Sequence, residues 1–347
     1  MKYKKSKILA AFTIVLLIPS LAGVFENQGN VAGAYTPSSG FQGNIAGTGM
    51  HNYVIHYTTP PTDIFNNIPR LPATVGFYEY VPSLGWEKMT NNSLPRVAEQ
   101  KFSPSDSELE NQYGVGTGFA FASANVVNQA AETVTFSQYS GESDSSYGSN
   151  HWSFQLNTNF FKGNNGDQDW VQFVVANTYT WSWGCFCDRA QFVVQSWDIT
   201  QGTYSNQLDQ LIPIQTLSST ASLGLDAYLN SPGKISVTFV GTNGQAYGAT
   251  VNDIYGLSGN WNAASGTIVG QMDGSEANFA SPVSFTTALE IEANGPFTFT
   301  TGNNYYQNTG ETNNLYEDWG SATTSYGMLP PYYGVYAGTL YLPYSTS

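Results

Sequence analysis

The sequence predicts an all-β protein built as an antiparallel β-sandwich, either one large sandwich or two packed β domains. Three observations predict it. Aromatic and small residues dominate, with 23 Tyr, 20 Phe, 8 Trp and 35 Gly in 347 residues. Segments alternating apolar and polar side chains recur between Gly/Asn/Ser turns, the mark of half-buried strands. Helix signals are few, and no fixed-period repeat points to a propeller or solenoid.

The elements follow in chain order. Residues 1–34 carry Lys2, Lys4, Lys5 and Lys7, then an apolar run from Ile8, a break at Pro19 and small residues at Ala22, Gly23, Ala32 and Ala34. This is the build of a secretory signal peptide, or of an N-terminal anchor of the same kind. No later run is long and apolar enough to span a bilayer as a helix. Residues 35–148 read as an N-terminal β region, with strands expected at 51–58, 74–81, 118–127 and 133–139. "PSDSELENQ" (104–112) has a short helix-start pattern, and "ENQYG" (110–114) reads as a turn. The polar, glycine-rich "YSGESDSSYGSN" (139–150) is the expected boundary. The C-terminal β domain, 149–347, has strands expected at 153–161, 170–181, 190–199, 234–241, 266–272, 284–293, 296–302 and 334–342. "SNQLDQLI" (205–212) reads as a helical turn.

Charge narrows the partners. The chain has 11 Lys+Arg and 25 Asp+Glu. Removing 1–34 takes away four lysines and Glu26, leaving 7 and 24, a net charge of −17. Charged residues make up 10% of the chain, against a usual share of about 25%. Such a surface is a poor match for nucleic acid or anionic membranes. It suits strong acid, where carboxylates are neutral and few basic groups are left to repel one another. Cys185 and Cys187 in "WGCFCDR" would point to one face of a strand; a strained local disulfide and a pair of free thiols both remain open.

Candidate chemistry starts from "HWSFQLNTNFFKGNNGDQDWVQFVV" (151–175). Side chains alternate faces along a strand. Trp152, Phe154, Leu156, Thr158 and Phe160 then share a core face, leaving Ser153, Gln155, Asn157 and Asn159 on the other. Val171, Phe173 and Val175 put Trp170, Gln172 and Val174 opposite. In 190–199, Phe192 and Val194 face the core, and Gln191, Gln195 and Trp197 do not. If 162–169 closes a hairpin, Gln155 and Gln172 share one sheet face, flanked by Trp170 and Trp197. That face could hold an extended peptide or a sugar, or could be an ordinary solvated face.

Among the carboxylates, Glu290 and Glu292 alternate with Leu289 and Ile291 and so lie together on a polar face. Two carboxyls that close raise at least one pKa. Glu311 sits in "TGNNYYQNTGETNNLYEDWG", either as a positioned acid or as a turn residue. The three histidines, His51, His56 and His151, fit neither a zinc-protease spacing nor a serine triad. There is no phosphate-binding glycine loop and no paired Asp-Thr/Ser-Gly motif, and nothing calls for a metal or other cofactor.

The strands "SFQLNTNFF", "DWVQFVV" and "FVVQSWDIT", followed by "ALEIEANGPFTFTTGNN" and "TGETNNLY", resemble thermopsin, a family of secreted acid proteases from heat- and acid-loving archaea. The likeness runs thinly over about 150–320. It implies an endopeptidase acting at low pH on extended or denatured polypeptide, exported or held at the cell surface, with Gln155, Asn157, Trp170, Gln172 and Glu311 at matched positions. The chain departs from the family where "GTIVGQMDGSEANF" (266–279) lacks an expected acidic residue before its apolar core, and where Glu290 and Glu292 replace apolar or aromatic residues. A looser analogy is to the glutamic peptidases, all-β enzymes in which a carboxyl activates water and an amide holds the oxyanion. On these readings Glu311, and after it Glu290, is the expected general base and acid. Gln155 and Gln172 orient the oxyanion or substrate, and Asn157, Trp170 and Trp197 bind the polypeptide. The rival expectation is a non-catalytic cell-surface, filament-forming or glycan-binding β protein associated with the envelope.

Overall fold

A computed structural model describes residues 41–42, 56–57, 62–65, 67–90, 100–101, 115–121, 126–139, 152–158, 161–182, 185–269, 283–300, 318–326 and 331–342. Residues 1–42, with strand β1 (Phe41–Gln42), make one compact unit, and 43–347 make another. The expected leader at 1–34, the helix start at 104–112 and Glu311 lie outside the described residues. Among those described, no helix is long and apolar enough to cross a membrane.

The larger unit opens with β2 (His56–Tyr57) and a 3₁₀ turn, Thr62–Phe65. Its mass is two nine-stranded antiparallel sheets. Sheet I runs, edge to edge, β18 (Thr298–Thr300), β6 (Val115–Phe121), β16 (Ala263–Val269), β8 (Trp152–Asn157), β10 (Gln168–Ser182), β11 (Cys185–Asp198), β12 (Thr203–Ile212) and β5 (Gln100–Lys101), with β9 (Phe161–Lys162) pairing beside β8 on β10. Sheet II runs β19 (Asp318–Tyr326), β20 (Tyr332–Leu342), β17 (Val283–Ala293), β7 (Val127–Gln138), β13 (Ser222–Ser231), β14 (Lys234–Val240), β15 (Ala246–Asn252), β3 (Gly76–Val81) and β4 (Gly85–Lys88).

The alternation read from the sequence sets the packing. Trp152, Phe154, Leu156, Val171, Phe173, Val175, Phe192 and Val194 of sheet I join Val134, Leu225, Val237, Phe239 and Leu289 of sheet II in one buried cluster. Phe192 bridges the sheets, with ring centroids 5.5 Å from Phe77 and 6.3 Å from Phe239. Val174, Ala176 and Val193, one residue out of phase, form a separate small cluster on the far side of sheet I.

Several expectations change here. The boundary at 139–150 does not divide the sheets, because β7 lies between β17 and β13 and β6 beside β16. Strands on both sides of residue 148 therefore build each sheet. The stretch expected as one strand, 118–127, belongs to two: β6 ends at Phe121 and β7 starts at Val127 in the other sheet. "SNQLDQLI" is not a helical turn. It lies in β12, which pairs with β11 from Asp198↔Thr203 to Ala190↔Ile212. A helix-like spacing of Leu208 and Leu211 yields to the nine ladder pairs on offer, with Gln207 accommodated at a register shift.

β13 and β15 escape a pattern reading because each spends a core-sheet position on glycine. Residues 62–65 and 67–75 lie across their outer side. A Cβ on Gly248 would stand 2.6 Å from Leu71 Cδ1, and one on Gly224 would collide with Ile64 and Phe65. Glycine weakens a strand signal but permits this close approach. The segment is tied down by Leu71 N–H to Tyr228 Oη (2.6 Å), Asn230 Nδ2 to Leu71 O (2.9 Å) and Thr250 Oγ1 to Pro72 O (2.8 Å).

Candidate functional site

The outward face of sheet I gathers the predicted amides. Hairpin closure between β8 and β10 aligns Gln172 with Asn157, and Val174 with Gln155. The two glutamines lie on one face, as the alternation predicts, and Gln172 Nε2 donates to Gln155 Oε1 at 2.6 Å. Both are 2% exposed and Asn157 is 4% exposed, so this is not a solvated strip. Across β11 and β12 the row continues through Gln195 to Asn206, whose Oδ1 accepts from Gln195 Nε2 at 2.9 Å. On its other flank, Ser265 of β16 stands opposite Asn157, and Thr267 opposite Gln155.

A second row runs parallel, two residues along each strand. Trp170, Trp197 and Tyr204 are cross-strand partners. Trp170 stacks on Trp197 with centroids 5.7 Å apart, and Trp197 on Tyr204 at 4.7 Å. All three are half-buried. Trp197 is the middle ring of the stack, with one neighbour on each face.

The carboxylates divide between faces. Among the described residues of this outward face, Asp209 is the acid. Gln191 Nε2 donates to it at 3.1 Å, and burial raises its pKa against that bond. Asp169 and Asp198 are cross-strand partners, each beside a stacked tryptophan but one residue out of phase and so turned to the inner side. Asn165 Nδ2 bridges them, at 3.2 Å to Asp169 Oδ1 and 3.3 Å to Asp198 Oδ2. Burial, and then the neighbouring Asp198 and Asp167 charges, push Asp169 up to about 6, although Asn165 opposes the shift.

Glu290 is not where the expected mechanism needs it. It lies with Glu292 on the outward face of sheet II, opposite Ala131 and Val335. The two sheets, about 10 Å apart face to face, separate it from Gln155 and Gln172. β17 pairs with β7 and β20 in the other sheet, which no local pattern reveals. Around it the sequence reading missed a linked set. Arg70 Nη2 donates to Gln129 Oε1 (2.7 Å), and Gln129 Nε2 donates to Asp226 Oδ1 (2.7 Å). The Arg70 guanidinium lies 4.0 Å from the Tyr228 ring centroid. Burial pushes Asp226 up to about 6 against the pull of Arg70 and Gln129, with Glu292 adding to the rise. Burial, then Glu292, pushes the Tyr333 hydroxyl up to about 12. Glu132, also missed, is fully buried on the inner side, opposite Leu225 and Leu289. Its alternation with Ala131 and Thr133 was the available signal. Among the described residues, no group of three or more His, Cys, Asp or Glu side chains could hold a metal ion.

No family model matches the sequence, and no curated protein does. Solved structures with similar architecture include scytalido-glutamic peptidase bound to a transition-state-analogue inhibitor, at 13% identity and a TM-score of 0.30, covering 66% of this chain and 98% of that one. SCP-B, a member of the eqolisin family of peptidases in complex with the tripeptide Ala-Ile-His, gives 15% and 0.26 over 67% and 98%. The β-porphyranase BpGH16B of Bacteroides plebeius, a human gut bacterium, gives 8% and 0.24 over 82% and 98%. Likenesses this distant do not bear on the chemistry of the site.

Proposed function

We propose that this chain is an exported acid endopeptidase acting on extended or denatured polypeptide, in the manner expected of the thermopsin resemblance. The observation that carries the reading is the hydrogen-bonded Gln155–Gln172 pair beside the Trp170–Trp197–Tyr204 stack on one sheet face. In a low-dielectric site, amide N–H groups aimed at a scissile carbonyl stabilise the oxyanion of a tetrahedral intermediate. A carboxylate, proposed to be Glu311, takes a proton from water as the water oxygen attacks that carbonyl. The same carboxyl then gives the proton to the departing amine as the C–N bond breaks. Asn157, Trp170 and Trp197 hold the substrate chain. The scarcity of basic residues suits work in acid, at the cell surface or beyond it.

Purified full-length protein is expected to cleave denatured protein at about pH 2–4, where a carboxyl with an ordinary or modestly raised pKa can act as both base and acid. Glu311→Gln should abolish the cleavage with the fold intact. Full activity in that variant would clear Glu311 of the role.

One observation favours a second reading. The strand neighbouring the glutamines, β16, brings Ser265 and Thr267 to the pairing positions and no acid. A face with amides and no catalytic carboxylate would bind polypeptide without cutting it, as an envelope or self-assembling β protein. Saturable polypeptide binding with no product at any pH from about 2 to 7 would support it over hydrolysis.

A further inference from the structure

A buried carboxyl oxygen at the β9–β10 turn faces other acceptors. Asp169 is fully buried, and its Oδ2 has no hydrogen-bond partner among the described residues. Its Oδ1 accepts from Asn165 Nδ2 at 3.2 Å. Gly163 shows what surrounds Oδ2. A methyl group placed there would meet Asp169 Oδ2 at 2.0 Å, Tyr255 O at 2.7 Å and Asn165 Oδ1 at 2.9 Å, so three oxygens converge on one spot. Gly163 N–H, whose pull on the carboxyl is the weakest of those acting, is spent on Asp167 O at 3.0 Å. A carboxylate can only accept, whereas the protonated acid has one O–H to give. An oxygen packed away from water against carbonyl oxygens is placed as the acid, not as the anion.

The charges nearby point the same way. Asp198, the cross-strand partner of Asp169, is buried too and accepts from Asn165 Nδ2 at 3.3 Å and from Gln201 N–H at 2.8 Å. Asp167, in the same loop as Asn165, accepts from Gln201 Nε2 at 3.2 Å. In the stretch that carries Tyr255, Asp253 is taken up by the N–H groups of Leu257 and Ser258, at 2.6 Å and 2.8 Å. On β9, Lys162 is exposed and stands opposite Gln168, not Asp169. Burial first, then the charges of Asp198 and Asp167, favours the protonated form of Asp169.

The cluster sits where three stretches of chain meet. Asn164 N–H bonds Tyr255 O at 2.9 Å, and Asn260 Nδ2 bonds Asn164 Oδ1 at 3.0 Å, which lays loop 163–167 on residues 253–260. Asp169 and Asp198 are the chain neighbours of Trp170 and Trp197, the stacked pair on the other side of the sheet. Asn164, Asn165 and Gly166 are exposed, so the cluster lies directly beneath a solvated loop.

We infer that Asp169, Asn165 and Asp198 form a latch closed by acid: a proton on Asp169 Oδ2 makes hydrogen bonds to the carbonyl oxygens facing it, ties loop 163–167 to residues 253–260 and steadies the Trp170–Trp197 stack. When that proton leaves, a buried anion faces acceptors and two further acids. The loop then opens to bring water to it. The aromatic row of sheet I is thus firm in acid and loose near neutrality. The latch does not depend on the hydrolase reading.

The test follows full-length protein from about pH 4 to pH 8 by hydrogen exchange and tryptophan fluorescence, with exchange corrected for the intrinsic rate at each pH. Wild-type protection over 163–170 is expected to fall by about tenfold or more through a reversible step near pH 6, with a matching shift in emission. Asp169→Asn places an N–H where the acid has its O–H, so its loop should stay protected and its emission constant. Asp226→Asn, which removes the raised carboxyl of sheet II, should leave the step unchanged. If Asp169→Asn fails to fold, Asp198→Asn gives the second reading: with a like charge gone, the step should move to lower pH. Flat protection in the wild-type protein, or the same step in Asp169→Asn, overturns the inference. So does a step in Asp198→Asn that stays in place or moves up. Calcium at about 1 mM that restores protection at the top of the range would overturn it as well, since a metal ion and not a proton would then answer the oxygen.

Discussion

On sheet I the outward residues of β8, β10, β11 and β12 include amides and aromatics paired with each other across strands. On sheet II the outward residues of β7, β13 and β17 include Gln129, Asp226, Glu290 and Glu292. There, segment 67–75 closes over the face, and its Arg70 reaches Gln129. Both faces come from the same two-residue alternation. What differs is the answer each gives to its buried polar groups. Sheet II answers Asp226 from within the protein, through Gln129 and the Arg70 charge. Sheet I pairs its amides with one another, Gln172 with Gln155 and Gln195 with Asn206. The comparison teaches that an outward strand face can be satisfied by its own neighbours across strands or by a segment laid over it, and that alternation does not say which.

The largest effect should come from the amide pair itself. If sheet I is the working face, Gln172→Ala should lower acid peptidase turnover by about 10²–10³-fold, the usual cost of losing an oxyanion donor. Gln129→Ala should change it less than about threefold. The reverse pattern in steady-state assays would move the site to sheet II. Next is the closure of sheet II. Gly248→Leu should destabilise the protein by about 1–3 kcal/mol in urea titrations, because the added side chain must displace Leu71. Polypeptide binding should survive it, and a loss of binding in folded protein would join the two faces functionally.

A smaller effect concerns pH. Asp169 and Asp226 both stand at about 6, above an ordinary value of 3.8. The folded protein therefore holds these protons more tightly than the unfolded chain does. Stability from them is gained as pH falls from about 6 toward 4 and lost as pH rises through about 6. The melting temperature should climb by a few degrees between pH 7 and pH 4. Asp226→Asn, which cannot ionise, should flatten part of that slope while Gln129 keeps a side-chain partner. A melting temperature that falls steadily over this range would contradict the burial of both groups. Smallest is Gln195→Ala, expected to cost about 0.5–1.5 kcal/mol for the bond to Asn206. Asp226→Ala should cost more, since it removes the acceptor that Gln129 Nε2 bonds within the linked set.

The local pattern was legible where it was strong. The faces of Phe154, Gln155, Phe173, Gln172, Phe192 and Gln195 follow from alternation alone, because a one-residue slip would turn the whole apolar set outward. The site was legible only in part. Trp170 opposite Trp197 and Gln172 beside Gln155 required the register between strands, which loop sequences specify weakly. Arg70, Gln129 and Asp226 come from three separate stretches, and no spacing in the chain announces their link. β13 was hidden by Gly224, whose lack of a side chain makes sense only beneath Ile64 and Phe65.

By itself the sequence determined that this chain is β and which side of each strong strand is apolar. Those are properties of residue type and of a two-residue period, and they need no partner. The tertiary structure decided which strands are neighbours, and so which polar groups meet. It put Glu290 on one sheet and the glutamines on the other, and interleaved the strands before residue 148 with those after it. The physical reason is that strand pairing is made through backbone groups common to every residue. The choice among partners is made by the packing of the whole core.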